Sequence, residues 1–264
     1  MEEVLLQEIK SGVLVIQFNR PEARNAWNQA MEDALKTALL SADANPDVRA
    51  IVITGSGRTF CPGPDPSSIL SGQSYRRPVT SNDDFGQRYS YMLGLRKPLI
   101  AAVNGAAAGV GLCLALYCDL RFVAEGAKLT TAFSRRGLPA EHGIAWMLPR
   151  LIGWMNASDL LISGRVINAQ EAAELGLARS FPAEGFLDAV EQYAQDLARS
   201  CSPRSMMVIK RQLREAWSQS LAQATTFSNL ETEASLGTED TVEGVAHFLE
   251  KRSPRFRALT QGQA

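Results

Sequence analysis

The sequence predicts an α/β fold in which strand–strand–helix units repeat and a helical region follows. One observation is the alternation of strand-like and helix-like segments along the first half of the chain. Another is the stretch LIAAVNGAAAGVGLCL at 99–114, which has the pattern of a buried strand, a Gly/Ala-rich turn and a helix that begins near Val110. The third is the almost continuous helical periodicity from Ala169 onward.

The N-terminal half of the chain contains the clearest strand signals. Two apolar runs are separated by Ser11-Gly12, which favours a paired hairpin. Met31, Leu35 and Leu39 recur at helical spacing, whereas the segment after Thr54 is rich in Gly, Pro and Ser. The predicted elements are strands at 4–10 and 13–18, a helix at 28–43, a strand at 50–54, a loop at 55–78 that is mobile near 71–82, and a helix at 83–96.

The second half continues with strands and then becomes helical. Strand signals occur at 120–124 and around Leu129. We expect a core domain at 1–200 and a helical C-terminal region at 201–264. The predicted helices of this half lie at 169–175, 186–198, 203–217, 221–236 and 241–250.

Composition narrows the class of protein. The chain has 264 residues, with 27 basic and 28 acidic side chains, so it has no net positive charge of the kind that marks nucleic-acid binding. Residues 99–117 are uncharged, which raises the alternative of a membrane span. Asn104, the glycines and the charged sequence after Tyr117 favour a buried strand, turn and helix instead.

The cysteines and the N-terminal sequence indicate the cellular compartment. Cys61, Cys113, Cys118 and Cys201 have neither CxxC nor metal-ligand spacing, which is typical of reduced and mostly buried thiols. The N-terminal sequence MEEVLLQEIK lacks the pattern of a signal peptide. We therefore expect a cytoplasmic protein with no metal site, no membrane partner and no nucleic-acid partner.

Four passages resemble the crotonase (enoyl-CoA hydratase/isomerase) superfamily, in order and at similar separations. They are FNRPEARNAWN at 18–28, IVITGSGRTFCPGPD at 51–65, KPLIAAVNGAAAGVGLCLALYCDLRF at 97–122 and EGVAHFLEKRSPRF at 243–256. The resemblance implies a crotonase (ClpP-like) fold, with β-β-α units in a spiral core and a C-terminal helical region that packs homo-trimers, commonly paired into hexamers. It also implies an acyl-CoA thioester as substrate, with CoA as part of that substrate and no separate cofactor.

The Gly/Ala-rich turn is suited to holding an oxyanion. Small residues let a carbonyl oxygen approach the backbone, and a helix start supplies free N–H donors. The resemblance places one donor at Val110 and the other at Pro64, which has no N–H. Either the hole is weakened, by about 10²–10³-fold in rate for one lost donor, or the loop shifts so that Gly63 or a water donates.

Family hydratases use two glutamates, and the resemblance places them at Cys113 and Phe133. Neither side chain can replace a carboxylate near neutral pH. Cys113 is either a nucleophile activated by a nearby base or, as we prefer, a buried core residue. Hydration by two carboxylates is therefore not expected.

Glu141 matches the position of the Glu or Asp in single-acid isomerases, and of the nucleophilic Asp in a related dehalogenase. One carboxylate suffices to take a proton from C2 and return it at C4. Burial beside Phe133 and Trp146 would raise its pKa. Alternatively Glu141 is a loop carboxylate or an ion-pair partner of Arg135 or Arg136. His142 and His247 are expected to be structural.

The resemblance also implies a CoA site. Asp65 and residues 76–78 either shape the acyl pocket or face solvent, and Lys251 offers a cation to phosphate, or to a helix end. The residues expected to bind substrate or CoA are Ala23, Arg24, Ala26, Cys61, Pro62, Gly63, Asp65, Gly109, Cys113, Phe133, Phe248 and Lys251.

These expectations combine into one preferred function and two alternatives. The preferred function is double-bond isomerisation in an acyl-CoA thioester, with Glu141 as the acid and base. One alternative is an unconventional hydratase or thioester hydrolase in which Glu141 activates water. The other is an acyl-CoA-binding protein without catalysis.

Overall fold

The computed structural model describes residues 3–65, 84–86 and 88–259. The whole segment at 71–82 that is predicted to be mobile, including 76–78, lies outside these residues. The strands are β1 (Leu5–Lys10), β2 (Val13–Phe18), β3 (Ala50–Gly55), β4 (Thr59–Cys61), β5 (Leu99–Val103), β6 (Ala106–Ala108), β7 (Leu120–Ala124), β8 (Lys128–Thr130), β9 (Ile167–Asn168) and β10 (Arg179–Phe181).

The helices follow the strands along the chain and dominate its second half. They are α1 (Gln29–Ala44), α2 (Tyr91–Gly94), α3 (Val110–Leu116), α4 (Ile144–Ile152), α5 (Trp154–Ser163), α6 (Ala169–Glu174), α7 (Phe186–Ser200), α8 (Pro203–Glu215), α9 (Leu221–Ser235) and α10 (Glu239–Glu250).

The strands form two sheets, and successive strand pairs contribute one strand to each sheet. The described strands form one sheet of order β1-β2-β3-β5-β7-β10 and a second of order β4-β6-β8-β9. The strands β3, β5 and β7 pair in parallel in the first sheet, and the strand that follows each of them pairs in parallel in the second. The repeated β-β-α units that the resemblance implies are thereby confirmed.

The Asn104 side chain links one strand pair to the next through hydrogen bonds. Asn104, between β5 and β6, donates to the carbonyls of Gly55 and Gly57 at 2.8 and 3.0 Å and accepts from the Gly55 N–H at 3.2 Å. The amide thus satisfies backbone groups in the turn of the preceding strand pair. This contact fixes the turn between β5 and β6, the strand that precedes α3.

Helix α1 packs its apolar stripe against the sheet. The Asn28 side chain accepts from the Met31 N–H at 3.0 Å and caps the helix. Met31, Leu35 and Leu39 are buried in the main core, as helical spacing predicts. The observed helix therefore agrees with the prediction for 28–43.

Some elements differ from the sequence prediction. Strand β4 lies inside the predicted loop at 55–78, because it is stabilised by pairing with β6 rather than by local propensity. The predicted helix at 83–96 is helical in the described residues only at α2. It ends at Leu95, which is extended, and the next N–H groups, of Arg96 and Lys97, donate to Asp43 at 2.7 and 3.2 Å.

Helices α4 and α5 and strands β6, β9 and β10 are not among the predicted elements, and β6 lies inside the predicted Gly/Ala-rich turn. The helices at 186–198, 203–217, 221–236 and 241–250 are confirmed as α7 to α10, with small differences at their ends. Neither α9 nor α10 buries a residue, and Leu230, Val242 and Phe248 are exposed. None of the described helices is long and apolar enough to cross a membrane.

The cysteines agree with expectation. All four are free thiols, and Cys61, Cys113 and Cys118 are buried. Within the described ranges, no group of His, Cys, Asp and Glu side chains could hold a metal ion.

Candidate active site

A cavity of about 310 Å³ lies at the start of α3. Its walls come from segments that lie far apart in the sequence. Among the described residues they are Pro62, Gly63 and Pro64; Ala108, Gly109 and Val110; Thr130, Thr131, Ala132 and Phe133; and Trp27, Arg88, Tyr89, Arg136, Leu138, Glu141 and His142.

The backbone at Val110 is exposed to this cavity because of two glycines. Gly109 has a φ of 52°, which turns the chain into α3. A Cβ on Gly111 would lie 2.1 Å from the Cys61 carbonyl oxygen, so α3 approaches β4 as closely as only glycine allows. As the first residue of α3, Val110 has an N–H with no carbonyl one helical turn earlier to accept it.

The opposite wall is formed by the loop that contains Pro64. The Trp27 N–H donates to the Gly63 carbonyl at 2.8 Å, and the Asp65 N–H donates to the Trp27 carbonyl at 2.9 Å. The nitrogen of Pro64 carries no hydrogen. Burial raises the pKa of the Cys61 thiol to about 12, and a hydrogen bond from the Gly63 backbone acts in the opposite direction.

Glu141 brings a carboxyl group into the cavity wall. Its side chain is 18% exposed, and burial raises its pKa, with Arg88 acting in the opposite direction. No ion pair to Arg135 or Arg136 is present in the described part of the chain, where Glu141 Oε2 lies 3.7 Å from His142 Nε2. A carboxyl group with a raised pKa in a cavity is a candidate for proton transfer.

The two positions that match hydratase glutamates are occupied by buried residues without a carboxylate. Phe133 is buried and lines the cavity beside Glu141. Cys113 is buried and is not among the described lining residues. Burial, then the Glu141 charge, raises the pKa of the Cys113 thiol, so this thiol stays protonated.

His142 is held by its neighbours. Its carbonyl accepts a hydrogen bond from the Tyr117 hydroxyl at 2.7 Å, and its ring packs edge-to-face on Tyr89 with ring centroids 4.9 Å apart. Burial, aided by the Arg88 charge, lowers the pKa of His142 to about 4. The imidazole is therefore neutral at neutral pH.

A second cavity of about 460 Å³ adjoins the first and shares Arg88, Tyr89 and His142 with it. Trp146 and Trp217 line this second cavity, with ring centroids 5.0 Å apart. Trp146 is 46% exposed and does not line the cavity of Glu141. Of the two aromatic residues expected beside Glu141, Phe133 therefore lines the same cavity and Trp146 does not.

The residues expected at a CoA site are in part dispersed. Ala23 and Arg24 lie in the turn before Trp27, where Arg24 is exposed, and Ala26 is buried with its carbonyl accepting from Arg20 at 2.6 Å. Asp65 forms an ion pair with Arg20 at 3.3 Å.

The C-terminal candidates lie apart from the cavity wall. Phe248 is 77% exposed on α10, and Lys251, which follows that helix, is also exposed. Neither is among the described lining residues of the two cavities.

Sequence analysis missed Glu32, Arg88 and Tyr89. Glu32 is buried on α1, where Arg88 and the Tyr89 hydroxyl both bind its carboxylate. The available signal was its position, because Glu32, Leu35 and Leu39 share one helix face. A carboxylate on an apolar face is a candidate for a buried ion pair.

Comparison with known proteins identifies the family signature along nearly the whole chain. The family model described as Enoyl-CoA hydratase/isomerase matches residues 8–259. A probable enoyl-CoA hydratase of Rhodobacter capsulatus is 37% identical over 94% of this chain and 96% of the relative. The 1,2-epoxyphenylacetyl-CoA isomerase of Escherichia coli is 31% identical over 97% of this chain and 99% of the relative.

A solved structure shows the same architecture. A probable enoyl-CoA hydratase/isomerase from Mycobacterium abscessus superimposes with a TM-score of 0.88 at 34% identity. The superposition covers 97% of this chain and 99% of that protein.

Proposed function

The chain belongs to the enoyl-CoA hydratase/isomerase family, and from this premise we propose that it moves a double bond within an enoyl-CoA thioester. The observation that carries the proposal is the acid content of the cavity. Glu141 is the one carboxylate among the described lining residues, and Cys113 and Phe133 occupy the two positions of the hydratase glutamates. One carboxylate can remove and return a proton, whereas the usual hydration needs two.

In the proposed reaction, the Glu141 carboxylate removes a proton from C2 of a 3-enoyl-CoA. The electron pair of the broken C–H bond moves into the thioester, and the resulting oxyanion accepts a hydrogen bond from the Val110 N–H. Glu141 then returns the same proton at C4, and the double bond shifts to C2–C3. Atoms and charge balance without water or a separate cofactor, because CoA is part of the substrate.

The raised pKa of Glu141 supports this role. A proton shuttle works best when its pKa is close to the operating pH, so that the group can both accept and donate. Burial supplies this direction, and Arg88 limits it. The neutral ring of His142 adds no competing charge.

We place CoA along the turn at Ala23, Arg24 and Ala26 and the loop from Cys61 to Asp65, with Phe248 and Lys251 reaching the nucleotide from α10. The acyl chain would enter the cavity of Glu141, past Gly109, and continue into the cavity that adjoins it.

Assembly into a homo-trimer or a hexamer is part of the same proposal. The exposed apolar side chains of α9 and α10 support it, since an apolar face of this size normally packs against a partner. They are Leu221, Leu230, Leu236, Val242, Val245, Phe248 and Leu249.

The test is turnover of 3-enoyl-, 2-enoyl- and dienoyl-CoA substrates by the full chain and by Glu141→Gln. We expect conversion of 3-enoyl-CoA to 2-enoyl-CoA, loss of at least about 10²-fold in the variant, and acyl-CoA affinity within a few-fold of the parent. Hydration of 2-enoyl-CoA or release of free CoA, lost in the same variant, would replace isomerisation by those reactions. Binding without any turnover would leave a non-catalytic acyl-CoA-binding protein, and wild-type turnover in Glu141→Gln would exclude Glu141 as the base.

A further inference from the structure

An ionic cluster at the wall of the cavity is built on Glu32, a buried residue that the proposed reaction does not use. The Glu32 side chain is 6% exposed, and Arg88 Nε donates to its two carboxylate oxygens at 2.9 and 3.0 Å. The Tyr89 hydroxyl donates to Glu32 Oε2 at 2.9 Å and accepts from Trp27 Nε1 at 2.9 Å. These bonds hold Arg88 and Tyr89 in one arrangement.

The cluster reaches Glu141 by two routes. Arg88 and Tyr89 line the same cavity as Glu141, whereas Glu32 is not among its described lining residues. The Tyr89 ring packs on the ring of His142, whose Nε2 lies 3.7 Å from Glu141 Oε2. The Arg88 charge acts on Glu141 directly, since it lowers the pKa that burial raises.

We propose that Glu32 is a positioning residue for the Glu141 carboxyl group, acting through Arg88 and Tyr89. Removal of the Glu32 charge leaves a largely buried guanidinium without this carboxylate, which favours its movement towards water. The Tyr89 hydroxyl loses its acceptor at the same time. The catalytic consequence rests on the proposed function, but the positioning itself does not.

The charge balance around Glu141 gives the direction of the effect. At neutral pH the His142 ring is neutral and the Cys113 thiol is protonated, so neither adds charge. Displacement of Arg88 therefore makes Glu141 hold its proton to higher pH. The titratable and charged groups that face Glu141 from the described elements are Arg88, Tyr89, Arg136, His142 and Cys113.

The chain offers a matched control on the same helix. Asp43 of α1 forms a part-buried ion pair with Arg96, with 3.1 Å between Oδ2 and Nε. Neither residue is among the described lining residues of the cavity. Asp43→Asn therefore removes a comparable ion pair without touching the proposed chain of contacts.

The experiment measures the ionisation of Glu141 in protein labelled with ¹³C at the glutamate carboxyl, with the signal assigned by its loss in Glu141→Gln. In Glu32→Gln and Arg88→Met we expect the inflection to rise by about 1 pH unit, because a nearby opposite charge typically lowers a carboxyl pKa by about 1–3. At the pH of the parent inflection, kcat for the isomerisation should then fall about fivefold, with a smaller change in KM. Asp43→Asn should leave both quantities unchanged.

An unchanged Glu141 titration in folded Glu32→Gln would overturn the proposal, as would an equal shift in Asp43→Asn. If circular dichroism shows that Glu32→Gln does not fold, Arg88→Met decides by the same criterion. A shifted titration in a protein that turns over no substrate would support the positioning role and refute the proposed function instead. Isomerisation by the parent, together with an unshifted Glu141 titration in Glu32→Gln, would support the proposed function and refute the positioning role.

Discussion

Trp27 and Pro64 form an isolated parallel β-bridge, in which Trp27 bonds to the residues on either side of the proline. In such a bridge the central residue directs its own nitrogen away from the partner strand. Pro64 and Val110 both line the cavity of Glu141. The bridge therefore places a nitrogen without a hydrogen at the wall where a second oxyanion donor would be needed.

Pro64→Ala should restore that donor. We expect turnover of 3-enoyl-CoA to rise at least several-fold, with about 10²-fold as the upper value for one oxyanion hydrogen bond. Loss of the fixed φ of proline offsets part of the gain. Steady-state kinetics measures the change, and Pro62→Ala, which loosens the same loop without adding a donor at 64, should show no such gain.

A fall in turnover of Pro64→Ala, with affinity and circular dichroism unchanged, would contradict this expectation. It would mean that the proline loop works as it stands, with the oxyanion held by Val110 and another donor.

Gly111→Ala should disrupt the start of α3. Its Cβ would lie 2.1 Å from the Cys61 carbonyl oxygen, so the helix and β4 must separate. We expect a loss of unfolding free energy of roughly 1–3 kcal/mol, the usual cost of overpacking, and a fall in turnover as Val110 moves. Urea denaturation measures the first quantity. Gly126→Ala, where an added Cβ meets no atom within 4 Å, controls for a substitution made without a clash, although its φ of 85° also carries strain.

Gly111→Ala with parental stability and turnover would show that α3 tolerates displacement. The N–H of Val110 would then not depend on the close approach of the helix to β4.

Arg24→Ala combined with Lys251→Ala should weaken acyl-CoA binding in a salt-dependent manner. Both side chains are exposed cations suited to phosphate. We expect about a tenfold loss at low salt, consistent with one or two charge-assisted hydrogen bonds, and a smaller loss at high salt because the charges are screened. Isothermal titration calorimetry measures the affinity.

The exposed cations Lys10 and Arg179, both changed to Ala, provide a double variant of equal net charge. Equal weakening in that control would indicate a general effect of net charge. No binding of any acyl-CoA by the parent protein would refute the substrate class.

His142 should make stability depend on pH. Burial lowers its pKa to about 4 from the ordinary histidine value of 6.5, so the unfolded chain binds more protons between these two pH values. Stability contributed by the neutral ring is present above about pH 6.5 and is lost as pH falls through about 4. The loss would reach about 3 kcal/mol.

Urea denaturation from pH 7 to pH 4 tests this dependence in the parent and in His142→Gln, which does not titrate. The variant should lose less stability over that range. Parallel curves for the two proteins would show that His142 is not buried as a neutral ring.

The sequence alone predicted the elements whose signals are local. Met31, Leu35 and Leu39 mark the buried face of α1, and the Gly/Ala-rich turn marks the start of α3 at Val110, because periodicity and glycine content act within a few residues. Motif order along the chain also indicated the family, and with it Glu141, Pro64 and the absence of carboxylates at Cys113 and Phe133.

Only the tertiary structure decided which residues meet. Strand β4 exists because β6 pairs with it, and Glu32 faces Arg88 across 56 positions of sequence. Burial and the Arg88 charge shift the pKa values of Glu141 and His142. Both causes are set by packing. Such long-range contacts leave no periodic trace in the chain, so the sequence predicted Glu141 as a candidate acid but not the groups that shift its pKa.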